Sequence, residues 1–280
     1  MPLRFATLAS GSTGNVAFIE ADGSQLLIDL GLGPRQMDSR LAAVGTTWQS
    51  IRAVVLTHTH SDHWKDRSFA QLLRFKIPIY CHARHQSALR DHSTTFAKML
   101  DAGLVHHYEA GIPIEPIANL RFCPLRLSHD SDPTFGFRIE HSGQSGHHAM
   151  LGYLADLGTW TTDLVAAVAD VDLLALEFNH DVQLEKQSGR PQDLIDRVLG
   201  DSGHLSNKQA ADFVVELRRQ QGAGRLRELV QLHLSQVCNH PTLARRTADE
   251  AVADWPLPPR IHTSLPHQAG TILEMPVAAG

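Results

Sequence analysis

Short apolar runs separated by turn-forming residues dominate the first part of the chain. LRFATLA (3–9), NVAFIEA (15–21) and QLLIDLG (25–31) have the content of strands, and SGSTG and DGS separate them. The period then changes. In PRQMDSRLAAVG (34–45), Met37, Leu41 and Val44 recur at helical spacing. Pro34 suits the first turn of that helix and Gly45 the C′ position that ends it. IRAVVLTH (51–58) is a further strand, and its continuous apolar content predicts burial on both faces. Helical windows follow around 64–75 and 83–101, with IPIYC as a strand between them.

The section from roughly 104 to 155 reads as β-rich, with NLRFCPLRL, FGFRIEH and HHAMLGYLA. TTDLVAAVAD is a short helix and VDLLALEF a buried strand. SNKQAADFVVELRRQQG (206–222) is a helix with a start signal: Ser206 followed by Gln209 fits a capping box, and Gly222 ends it. RLRELVQLHLS carries the last strong strand. From about 241 the chain is Pro-rich and weakly patterned, which predicts an irregular C-terminal segment (241–280) within one domain spanning 1–280. No short-period internal repeat is visible. Strands, then helices, then more of both in each half favour an α/β chain of two packed sheets with helices outside, the αββα sandwich, over a doubly wound sheet.

Composition adds one anomaly. Of 280 residues, 42% are hydrophobic and 20% charged, as in ordinary globular proteins, but 18 are histidine. Histidine is the commonest metal ligand and titrates near neutral pH, so the excess calls for a site. The net charge of −5 gives no global case for nucleic-acid binding. Three widely spaced cysteines (Cys81, Cys123, Cys238) without a CxxC argue against a disulfide framework. No signal-like h-region and no run of about 18 apolar residues is present, so neither a leader nor a membrane span is expected. A cytoplasmic enzyme is the resulting expectation.

The site is concentrated in His58-Thr59-His60-Ser61-Asp62-His63, directly after a strand. In extended backbone, residues two apart project to one side, so His58 and His60 can face one metal. Asp62 and His63, where the chain turns, can face a second. Imidazoles with a carboxylate suit zinc, manganese or iron. Solvated histidines at a polar strand end are the bland alternative, hard to sustain for three histidines and an aspartate in six residues. Further candidates each end an apolar strand: Asp29, His129, Asp156 and His233. Singly, each also reads as a cap or a hydrogen-bonded core residue. Strand ends on one sheet edge converge on one cleft.

The pattern HTHSDH, then His129, then Asp156 in YLADLG, then His233 in LHLS resembles the metallo-β-lactamase superfamily, whose signature is HxHxDH followed by His, Asp and His. Asp29 in LLIDLG matches an acidic residue that precedes this motif. Within the superfamily the chain is most similar to the YycJ/WalJ group. SGSTGN (10–15), the HD of LSHDSDPTFGF (127–137), EFNHD (177–181) and GHLSN (203–207) carry that likeness. GHLSN also resembles the catalytic-histidine motif of ribonuclease Z. The group commonly reads ESNHD, so Phe178 departs from it and puts local substrate contacts in question.

The resemblance implies two divalent ions, Zn²⁺ or Mn²⁺. His58, His60 and His129 would hold one; Asp62, His63 and His233 the other; Asp156 would bridge, with Asp29 orienting a ligand histidine. Paired metals acidify bound water and supply a nucleophile at neutral pH. Asp62, His204 and His180 are the catalytic candidates. His204 is proposed as general acid, beside the start of the helix at Ser206, where a phosphate could dock.

The expected activity is a phosphodiesterase on nucleic acid, a single-strand-preferring DNA exonuclease. The alternatives are a small-molecule ester, thioester, lactone or cyclic phosphodiester hydrolase, and a non-catalytic metal-binding protein. Arg84 and Arg90, Arg218 and Arg219, Arg225 and Arg227, and Arg245 and Arg246 are candidate phosphate contacts, though arginine pairs more often lie on solvated faces. No membrane partner is expected.

Overall fold

The computed structural model describes residues 1–131, 133–143, 148–221 and 225–275. Strands β1 (Leu3–Ala9), β2 (Val16–Ala21) and β3 (Ser24–Ile28) form an antiparallel meander, because the turns at 10–15 and 22–23 reverse the chain. Helix α1 (Pro34–Ala43) then carries the chain to β4 (Ile51–Val55), parallel to β3. Gly45 takes φ +74 just past the helix, as its C′ placement predicts. The apolar run of β4 is buried except at Arg52.

Helix α2 (Asp66–Phe75) leads to β5 (Ile79–His82). The 83–101 window, expected as helical throughout, is two helices, α3 (His85–His92) and α4 (Thr94–Asp101). Ser93 between them is extended and its hydroxyl accepts from the Phe96 N–H, so it caps the second helix. β6 (Val105–Tyr108) completes the parallel series β3-β4-β5-β6.

Next come β7 (Ile114–Ile117), β8 (Leu120–Leu127), β9 (Thr134–Ser142) and β10 (His148–Leu154). After α5 (Thr162–Ala167) come β11 (Leu173–Glu177), α6 (Val182–Lys186), α7 (Gln192–Leu199), α8 (Asn207–Gln221) and β12 (Glu228–Leu232). The Ser206–Gln209 capping box forms: Gln209 Oε1 accepts from Ser206 N–H at 2.9 Å and Ser206 Oγ from Gln209 N–H at 3.2 Å. The predicted stop at Gly222, and His147 in the predicted strand 147–155, lie outside the described residues.

The segment from 241, expected to be irregular, is not. It holds α9 (Pro241–Val252), β13 (Arg260–Thr263) and β14 (Leu273–Met275). Pro241 occupies the first helical turn after the His240 cap, and Ala244, Ala248 and Val252 form the buried stripe. Small alanines gave that stripe too little apolar contrast to stand out beside the prolines that follow.

Among the described residues the strands form two mixed sheets, β14-β1-β2-β3-β4-β5-β6 and β13-β12-β11-β10-β9-β8-β7. The chain divides into two compact units. One comprises Met1–Pro124, Glu140–Ala149 and the stretch from Leu265; the other Leu125–Ile139 and Met150–Ser264. Each has its own apolar core. Phe18, Leu27, Val54, Met37 and Phe69 are central to the first, and Leu154, Leu174, Phe178, Phe213 and Leu229 to the second. In each unit a parallel series aims several strand C-termini at one edge: β3 and β4 in the first, β10, β11 and β12 in the second. No described helix is long and apolar enough to cross a membrane.

Candidate metal centre

In the first unit, Asp29 directly follows β3, and the HTHSDH loop follows β4. Asp29 is fully buried and adopts φ +63, a left-handed conformation that Asp tolerates better than most residues. Its Oδ2 accepts from Nδ1–H of His63 at 2.8 Å, and its Oδ1 from the Thr57 N–H at 2.8 Å. Thr57 Oγ donates to the same carboxylate at 3.0 Å and lies 2.9 Å from His58 Nδ1. With Nδ1 engaged in this way, both imidazoles present the Nε2 lone pair as the coordinating atom. Burial pushes the Asp29 pKa up, against the pull of His63 and Thr57. The His58 and His60 rings lie 4.9 Å apart and those of His58 and His63 3.9 Å.

The loop is laced to its surroundings through backbone. Asn15 N–H donates to Asp62 O at 2.8 Å, Gly31 N–H to Asn15 O at 3.0 Å, and Leu30 N–H to His63 O at 2.8 Å. Glycine is required at the crossing: a Cβ on Gly31 would sit 1.7 Å from Asp62 O, and one on Gly14 2.8 Å from Gly31 O.

The second unit holds a second cluster. His129 follows β8, and its Nδ1–H donates to Gly203 O at 2.9 Å. Asp156 and His233 end β10 and β12, both buried and both left-handed, at φ +58 and +54. Glu177, the last residue of β11, stands between them in the sheet. Glu177 Oε1 accepts from His204 Nδ1–H at 2.8 Å and His233 Nδ1–H at 3.0 Å; Oε2 accepts from Leu157 N–H at 2.9 Å. The ligand atoms of Asp156, Glu177, His204 and His233 all lie within 4.8 Å of one another. Burial works to raise the Glu177 pKa, but the charge and hydrogen bonds of His204, with that of His233, outweigh it and hold the carboxyl below its ordinary range. Burial likewise opposes protonation of His204, and Glu177 overrides it, so the His204 pKa rises.

Each sequence-predicted ligand therefore falls in one of two clusters: His58, His60, Asp62 and His63 in the first unit, with Asp29 behind them, and His129, Asp156 and His233 in the second, with His204 beside them. Donors of this chemistry, imidazole nitrogens set by hydrogen bonds on Nδ1 together with carboxylates, fit zinc or manganese. His180 is buried in the turn before α6. Neither ring nitrogen has a hydrogen-bond partner among the described residues, and burial lowers its pKa.

The anion site expected at the start of α8 is not available in the form foreseen. The N–H groups of Ser206, Asn207 and Gln209 are already engaged, by Gln209 Oε1, His180 O and Ser206 Oγ. Phe178, the departure from ESNHD, is fully buried in the core of the second unit. Sequence reasoning missed Asn15, Thr57 and Glu177 as site residues. Two of them stood inside quoted motifs, SGSTGN and EFNHD, where a buried polar residue beside a ligand is the usable signal.

Residues 24–226 match the beta-lactamase superfamily domain, and the chain belongs to the metallo-β-lactamase superfamily, a family of metal-binding hydrolases. Within it the chain is YycJ-like. It is 27% identical over 245 residues to exodeoxyribonuclease WalJ of Streptococcus pneumoniae, covering 87% of this chain and 86% of that one. It is 22% identical over 257 residues to exodeoxyribonuclease YycJ of Bacillus anthracis, covering 91% and 90%. The fold matches the metallo-β-lactamase fold protein YhfI of Bacillus subtilis with TM-score 0.70 and 16% identity, over 98% of this chain and 100% of that one. The α/β class with two mixed sheets, expected from the sequence as a metallo-β-lactamase fold, is thus the observed one.

Proposed function

We propose that this chain is a metal-dependent phosphodiesterase acting on nucleic acid, a cytoplasmic exonuclease on single-stranded DNA. The observation that carries the reading is the Glu177–His204 pair, in which a histidine outside the ligand set is held by a buried carboxylate. Its likeness over most of its length to two exodeoxyribonucleases supports the substrate class.

His58, His60 and His129 would hold one divalent ion, Asp62, His63 and His233 a second, and Asp156 would bridge, following the ligand order of the superfamily. When bound, such ions supply Lewis acidity and acidify water toward neutral pH. The chain's own contribution is orientation and proton delivery. Asp29 and Thr57 fix the His63 and His58 rings through Nδ1. Glu177 fixes His204 through Nδ1 and favours its protonated form, leaving Nε2–H to protonate the departing oxygen. His180 contributes a buried neutral imidazole beside this pair.

Arg90, exposed on α3, is the arginine candidate to test for a phosphate contact. Most of the other arginine candidates are spent on the fold: Arg219 pairs with Glu216, Arg225 with Asp172, Arg245 with Asp249 and Arg246 with Glu250, while Arg218 covers the Trp255 ring. Arg84 and Arg90 are exposed on α3 and its cap.

The test is a parallel assay of the purified chain with Mn²⁺ on end-labelled single-stranded DNA, a small phosphodiester and a lactone. Stepwise shortening of the DNA, weakened by added salt, is expected. Turnover of the lactone alone overturns the proposal.

A further inference from the structure

Asn15 is buried, at 1% exposure, at the end of the SGSTGN turn. Its Oδ1 accepts the Gly11 N–H at 2.8 Å, which fixes which way the amide points. Its Nδ2 therefore faces the other way, 3.1 Å from Asp62 Oδ2 and 3.0 Å from His63 Nε2. Since His63 Nδ1 carries its hydrogen toward Asp29, Nε2 offers a lone pair and Asn15 donates to it. The two hydrogens of one amide are thus spent on two neighbouring ligands, Asp62 and His63. An amide nitrogen is a donor and not a ligand.

The geometry points to Asn15 as a positioning residue for one of the two metals, resting on the two-metal reading above. In the metal-free chain it holds Asp62 and His63 in register by occupying the lone pair that coordination takes. An ion held by Asp62 and His63 would take the Nε2 lone pair in place of this hydrogen bond, while the second amide hydrogen would still hold the Asp62 carboxylate. Both acceptors of the Asn15 amide, Asp62 and His63, belong to the same ion in that reading, so the effect falls on that ion.

The experiment titrates the metal-free full chain with Zn²⁺ alone against a chromophoric chelator, for wild type and Asn15→Ala. Wild type is expected to take two ions; the variant should bind one of them about 10–100-fold more weakly and the other unchanged. In ¹⁵N-labelled wild type, the Asn15 side-chain amide, assigned through its proximity to the Gly11 N–H, should shift as Zn²⁺ is added. This measurement holds even if the variant does not fold. Two zinc ions bound with wild-type affinity by Asn15→Ala, or an amide unmoved at saturating Zn²⁺, overturns the assignment while leaving two-metal binding intact. A wild type that takes up no Zn²⁺ overturns the two-metal reading and the assignment with it.

Discussion

Nδ1 of His204 lies 2.8 Å from Oε1 of Glu177, a carboxylate with no exposed surface. Burial alone depresses a histidine pKa; the charge beside it reverses the direction. A general acid must be protonated to act, so turnover falls as pH rises through this pKa. Glu177→Gln removes the main charge that opposes burial, leaves only the smaller effect of Asp156 on that side, and lowers the His204 pKa. The basic limb of the kcat–pH profile should then move to lower pH. His204→Ala should keep its metals and lose about 10²–10⁴ in kcat. Loss of metal on that substitution, or an unmoved basic limb in Glu177→Gln, would remove His204 from the role.

Asp29 governs the first cluster in a different way, since it reaches the ligands only through Nδ1 of His63 and the Thr57 hydroxyl. Asp29→Ala frees the His63 ring and leaves the Thr57 N–H without its acceptor. Metal affinity is expected to fall about 10–100-fold, and the buried donor adds a stability cost of about 1–3 kcal/mol. Chelator competition and thermal unfolding measure the two effects separately; unchanged affinity would show that His63 needs no such support.

The strands that carry site residues were legible because β3, β4, β8, β10 and β12 are dense apolar runs, and a polar residue at the end of such a run stands out. Their supports were not. Glu177 closes the run LLALE, and its carboxylate is buried against groups far away in sequence, Leu157, His204 and His233. The left-handed φ of Asp29, Asp156 and His233 leaves no trace in composition, since Asp and His are ordinary loop residues. Helix α9 escaped notice because Ala244 and Ala248 contribute little apolar signal, although both are fully buried. The anion site at Ser206 failed for a related reason: the motif showed the cap, but not that the Asn207 N–H is taken by His180 O.

Gly31 tests whether the backbone crossing beneath the metal loop is as tight as the distances imply. A methyl group there would meet Asp62 O at 1.7 Å and Asn15 N at 2.6 Å, both main-chain atoms that cannot rotate away. Gly31→Ala should therefore destabilise the chain by about 1–3 kcal/mol or more and weaken metal binding, because the atom displaced belongs to Asp62. A thermal midpoint equal to that of wild type would show that the loops have room to part.

Away from the clusters, Asp22 gives a pH dependence of known sign. It accepts from His141 Nε2 at 3.1 Å, from the N-terminal ammonium at 3.1 Å and from Asn119 Nδ2 at 3.3 Å. The His141 hydrogen bond is the chief cause that lowers its pKa below the ordinary 3.8, against the opposing effect of burial. The folded chain thus binds this proton less tightly than the unfolded one. The stability gained is complete above the unfolded value and is lost as pH falls through the lower folded value. Asp22→Asn should be less stable than wild type at neutral pH, and the gap should narrow only below about pH 4. Chemical unfolding at a series of pH values reads the gap directly. A gap that stays constant or widens in acid would mean that the Asp22 charge is not what these donors stabilise.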